Sequence, residues 1–216
     1  MTNGLCPTAH GPRTVSPTPQ ASRRRRGSRA LAYHEAGHAV SALYFGNGLD
    51  HRRASVTVRA RFPINTPFVG NGSHGRCRVV FSDWFGDETA RAVTALAGPL
   101  AEELGAGTSF EYADDAELYL ACEDAVMAWP QEFWIATDIC QCAYTVLAFR
   151  GSIEADDLVK IIRSHEATAR ELLARPLIWA AVVRLANALM ERHSLNGGEA
   201  AAVVGAEIIH GVLRRD

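Results

Sequence analysis

The order of apolar and polar positions divides the chain into a patternless start, one core-type helix, a short β region and a long helical remainder. From Leu31 to Phe45 apolar residues fall on most faces of a helical wheel, so the spacing predicts a core helix over 29–45. Gly46-Asn47-Gly48 stops it. Residues 54–60 alternate, Val56 and Val58 on one side and Ser55, Thr57 and Arg59 on the other, which is a strand pattern. A Pro- and Gly-bearing stretch over 61–75 reads as a loop, and 76–82 as a second strand with Arg76-Cys77-Arg78-Val79-Val80-Phe81 as its body. The two form a long-looped antiparallel pair.

Beyond them the periodicity is helical. Asp87 caps a helix running to about Leu104, with a kink or break expected at Pro99. Asp114-Asp115-Ala116-Glu117 has the form of a capping box opening the next helix. Further helices are predicted over 131–149, 153–174 and 177–193, and Asn196 with Glu199 opens the last. Residues 1–28 are rich in Pro, Ser, Thr, Gly and Arg without periodicity and read as a disordered tail ahead of one domain over 29–216. The expected fold class is mainly α with a small antiparallel β element. There is no internal repeat.

Composition changes the picture in three places. Apolar residues make up 48% of 216, enough for a globular core. The net charge of -2 predicts no whole-chain attraction to nucleic acid or acidic membranes. Arg23-Arg24-Arg25-Arg26 reads as a solvated basic arm, with a weak contact to RNA, DNA or lipid headgroups as the sharper alternative. Five cysteines, an odd number in a chain of this length, fit a reducing cytoplasm better than a disulfide framework, and Cys140 and Cys142 read as apolar packing. No run of about 18 apolar residues occurs, so no transmembrane segment is expected.

The chemistry lies in His34-Glu35-Ala36-Gly37-His38. Two histidines four residues apart project from one helix face about a turn apart, so both imidazoles can reach one tetrahedral zinc. Glu35 sits beside them and can serve as general base toward a water that the metal acidifies. With 8 His and 14 Glu in 216 residues the pattern arises in roughly 2% of shuffled chains. The bland reading is two hydrogen-bonded core histidines beside a surface glutamate. A catalytic zinc takes a third protein ligand. Glu102, Glu103, Asp114, Asp115, His51 and His74 are candidates, and spacing alone does not choose among them.

Residues 30–45, ALAYHEAGHAVSALYF, resemble the zinc-binding helix of the FtsH family of ATP-dependent zinc peptidases, peptidase family M41. Leu96-Ala97-Gly98-Pro99-Leu100-Ala101-Glu102-Glu103-Leu104 resembles that family's Gly-Arg-Ala-Ala-Glu-Glu segment, with Pro99 in place of the Arg. Residues 113–121, ADDAELYLA, resemble the segment supplying an Asp ligand, and 165–205 the closing helices. In the family that Asp follows an Asn and precedes Leu-Glu. Matching the Glu to Glu117 makes Asp115 the third ligand and Asp114 the cap, while a shift of one residue selects Asp114. Glu102 or Glu103 would then orient a ligand histidine or lie on a solvated face.

The resemblance implies a zinc metallopeptidase, with Zn2+ held by His34, His38 and Asp115 and Glu35 as the base. The family's ATPase module has no counterpart here, since no G-x-x-x-x-G-K-[ST] motif occurs. Expected substrates are therefore peptides or flexible protein segments, cut alone or beside a separate ATPase. The competing reading is a zinc-binding regulatory or interaction protein with little turnover. A free strand edge beside the His34–His38 face is expected to dock an extended peptide. Phe62, Pro63, Ile64, Pro67, Phe68 and Val69 would give an apolar wall, or pack on the helical core instead.

Overall fold

The computed structural model describes residues 19–45, 55–59, 74–78, 87–108, 110, 114–128 and 137–208; for 19–28 and the strands 55–59 and 74–78 it describes the backbone alone. The order is α1 (Pro19–Tyr44), β1 (Ser55–Arg59), β2 (His74–Arg78), α2 (Glu88–Ala106), α3 (Asp115–Ala128), α4 (Asp138–Arg150), α5 (Ala155–Ala174), α6 (Pro176–Arg192), β3 (Ser194–Asn196) and α7 (Gly197–Val204). Among the described residues the fold is mainly helical, as the patterning predicts, with one small antiparallel sheet.

The core forms where α1 lies across α2 and α6. Ala32, Ala36, Ala39, Val40 and Leu43 of α1 are buried, as are Val93, Leu96, Ala97 and Leu100 of α2. Small residues let these two helices approach closely. A Cβ on Gly37 would overlap the Ala97 carbonyl and the Ala101 side chain, so only glycine permits this crossing. Helix α2 starts where Asp87 accepts from the Thr89 N–H at 2.9 Å, and ends at Gly107 in the left-handed conformation. It runs through Pro99 without a break. Helices α5 and α6 meet at an 83° bend between Ala174 and Pro176, with Pro176 at the start of α6, where its missing N–H is no loss. The last helix begins on the full capping box between Asn196 and Glu199.

Four expectations change. Helix α1 begins at Pro19, so residues 19–28 extend it rather than belonging to a disordered tail. Proline suits a first turn, and the four arginines are good helix formers. Residues 1–18 lie outside the described residues. The described second strand, His74–Arg78, starts two residues before the expected 76, with His74 opposite Arg59 and Arg78 opposite Ser55, and residues 79–82 lie outside the described residues. A third strand, β3, pairs antiparallel with β1, Val56 opposite Leu195. The sheet order is β2-β1-β3, so β1 has no open edge along Ser55–Thr57. The fourth helix begins at Asp138 rather than 131; residues 131–136, like the loop residues Phe62, Pro63, Ile64, Pro67, Phe68 and Val69, lie outside the described residues. Among the described residues no single helix is long and apolar enough to cross a membrane.

Candidate metal centre

Three elements build the site. Helix α1 carries His34 and His38 one turn apart on one face. Helix α2 crosses that face with Thr94, Gly98 and Glu102, spaced four apart along one stripe. Helix α4 contributes its first residue, Asp138, just after the Thr137 cap whose hydroxyl accepts from the Cys140 N–H at 3.2 Å.

The stripe on α2 fixes both rings. His34 Nδ1 lies 3.0 Å from Glu102 Oε2, and His38 Nδ1 lies 2.7 Å from the Thr94 carbonyl oxygen. A carboxylate and a carbonyl only accept, so each Nδ1 must carry the proton and donate it. In the neutral rings both Nε2 atoms are then bare lone pairs. They face each other at 3.2 Å, and the Asp138 carboxylate faces both, 2.9 Å from His34 Nε2 and 3.3 Å from His38 Nε2. Three electron-pair donors aimed at one point repel unless something positive lies between them.

Protons are one answer. Burial works against a charged His34, but hydrogen bonds to Asp138 and Glu102 outweigh it and raise its pKa to about 10. Burial likewise opposes charge on His38, and the Asp138 carboxylate overcomes it and raises that pKa too. The negative charge of Glu35 adds to both shifts. Burial would raise the pKa of Asp138, yet the two imidazoliums hold it well below the usual carboxylate range. A metal ion is the other answer. The three side chains form a group that could hold one, their ligand atoms all within 4.8 Å of one another. A tetrahedral ion with bonds of about 2.0–2.1 Å has its ligand atoms about 3.3 Å apart. The observed separations of 2.9 to 3.3 Å fit that figure. The donor set, two imidazole nitrogens and one carboxylate with each Nδ1 committed to an oxygen acceptor, suits a divalent cation.

Of the residues singled out from sequence, His34 and His38 meet here, and Glu35 is buried beside them at 4% exposure. Asp115 does not. Its side chain is 78% exposed and ion-paired with Arg163, 2.6 Å from Nη2. Asp114 caps α3 by accepting from the Ala116 N–H at 2.7 Å. The third member of the cluster is Asp138, not Asp115 or Asp114 as the expected register had it. The two segments are hard to tell apart because each opens a helix with an aspartate. The sequence signals point opposite ways: Glu117, two residues after Asp115, set the expected register, whereas Asp138 is followed by the aliphatic Ile139 and Asp115 by Ala116. The Glu102–Glu103 alternative is also resolved, for Glu102 orients His34 while Glu103 pairs with Arg170 at 2.9 Å. His51 lies outside the described residues, and His74 lies in β2, whose side chains are not described. Thr94 carried no sequence signal of its own, and Gly98 appeared only within the segment that resembles the family's Gly-Arg-Ala-Ala-Glu-Glu. No family model matches this chain, and no curated protein matches it.

Proposed function

We propose that this chain is a zinc-dependent metallopeptidase resembling the FtsH type, with His34, His38 and Asp138 as the zinc ligands and Glu35 as the general base. The observation that carries the reading is the convergence of His34 Nε2, His38 Nε2 and the Asp138 carboxylate while both Nδ1 atoms are committed elsewhere. Two His and one carboxylate would give zinc the three-ligand set of a catalytic rather than a structural site. Zinc held there would supply a Lewis acid for the substrate carbonyl and would acidify a water to near neutrality.

The protein's own groups do the rest. Glu102 and the Thr94 carbonyl hold the imidazoles in the tautomer that turns Nε2 inward. The Glu35 carboxylate takes the proton of the attacking water and returns it to the departing amide nitrogen. Substrates are peptides or flexible protein segments, presented directly or by a separate ATPase. With β1 paired on both sides along Ser55–Thr57, the side of β2 away from β1, unpaired among the described residues and packed beside α1, would offer the backbone pairing an extended substrate needs.

The test combines metal analysis with cleavage of casein or a peptide library by wild type and Glu35→Gln. Wild type is expected to hold about one zinc per chain and to cleave. Glu35→Gln is expected to keep the zinc and lose about 100-fold or more in rate. Equal rates for the two proteins sink the peptidase reading. Zinc uptake without any cleavage by wild type selects a zinc-binding regulatory protein instead.

A further inference from the structure

We infer that Gly98 is a positioning residue, the one place on α2 whose lack of a side chain keeps the His38 ring in register with the other two ligands. The inference rests on the metal-site part of the reading above. Gly98 lies midway between the two acceptors of its stripe, with Thr94 one turn before it and Glu102 one turn after. A Cβ there would overlap Nε2, Cε1 and Cδ2 of His38, and its three nearest neighbours all belong to that ring. Closeness to all three puts the Cβ over the ring's face, so the Cα of Gly98 forms the floor on which the imidazole lies.

The ring has little room to retreat. Its Nδ1 is held 2.7 Å from the Thr94 carbonyl, and its edge meets the His34 ring at 4.8 Å between centroids. A methyl group at position 98 therefore tilts the imidazole and carries Nε2 away from His34 and Asp138. Backbone conformation does not demand this glycine. Among the described residues the glycines with positive φ are Gly107, Gly151 and Gly205, and Gly98 is interior to a helix. A helix-interior glycine is destabilising relative to alanine, and here the His38 ring is what requires it. Gly37 differs, since its close neighbours are the Ala97 backbone and Ala101 rather than the site.

The experiment uses the full chain, stripped of metal, with Zn2+ and Co2+ as probes. Gly98→Ala is expected to keep the wild-type far-ultraviolet circular dichroism, to bind zinc about 10- to 100-fold more weakly, and to change the visible cobalt spectrum as one nitrogen ligand moves off. A general loss of packing would not alter the spectrum of the metal that remains bound. The second measurement compares unfolding midpoints with and without Gly98→Ala in two backgrounds, wild type and His38→Ala. The substitution should lower the midpoint in wild type and raise it once the ring is gone, because alanine is the better helix former where space exists. Wild-type zinc affinity and cobalt spectrum in Gly98→Ala overturn the inference. So does an equal drop in midpoint with and without the ring, or a failure of Gly98→Ala to fold in both backgrounds. If wild type binds neither metal, the zinc reading fails, while the midpoint comparison still decides whether the ring fills that space.

Discussion

At the scale of single residues, the centre is a problem in counting protons. Glu102 and the Thr94 carbonyl each claim one imidazole N–H, which leaves Nε2, Nε2 and a carboxylate pointing at one another. Asp138 completes the set, so Asp138→Asn should abolish or greatly weaken zinc uptake, while Asp115→Asn should leave it at the wild-type level. Direct metal titration of both purified variants checks this, and the reverse order would restore Asp115 as the ligand. His34, Glu35 and His38 were legible in the sequence because local helix geometry alone brings them together. Asp138 was not, because its approach depends on how α4 docks against α1, which no local spacing encodes. The aliphatic Ile139 after it is a faint signal among ten aspartates, and Glu117 favoured Asp115 instead.

At the scale of elements, legibility followed capping chemistry. Asp87, Asp114 and Asn196 each hold the first-turn N–H groups that their positions in the sequence implied. Strand β3 had no such mark. Three residues between α6 and α7 are too few for alternation to register, and they become a strand only because β1 has a side to offer. That pairing alters what a proline should do. Val56 has partners on both sides, Cys77 on β2 and Leu195 on β3, so its N–H points into one ladder or the other. Val56→Pro must remove a ladder bond, at a cost of about 1–3 kcal/mol for the acceptor left unpaired. Urea denaturation should show a lower midpoint whether or not peptide is present. A variant with wild-type stability and selectively weaker peptide binding would instead make β1 the docking edge.

At the scale of the whole molecule, protons and the proposed zinc would compete for one site, and that competition would set how stability varies with pH. His34 has its folded, metal-free pKa raised from 6.5 to about 10, so protonation there stabilises the metal-free fold fully below 6.5. That contribution fades as pH rises through about 10. His38 shifts in the same direction. Asp138 is shifted down, so its contribution holds above 3.8 and is lost as pH falls into the acid range. The metal-free protein should therefore lose stability from this site on the alkaline side of neutrality. The proposed zinc would act in the opposite sense. It binds only the deprotonated imidazoles, so each uptake event must expel protons, and affinity should climb with pH toward the His34 value. Ligand binding to the folded state raises stability by RT ln(1 + [L]/Kd), so a tenfold gain in affinity adds about 1.4 kcal/mol when zinc is in excess. Thermal unfolding with and without a fixed excess of zinc should then show a small difference near pH 6 and a large one near pH 8.5. Titration calorimetry in buffers of different ionisation enthalpy should register proton release at the lower pH. A zinc-induced gain in midpoint that shrinks as pH rises would mean that the ion binds somewhere other than His34, His38 and Asp138.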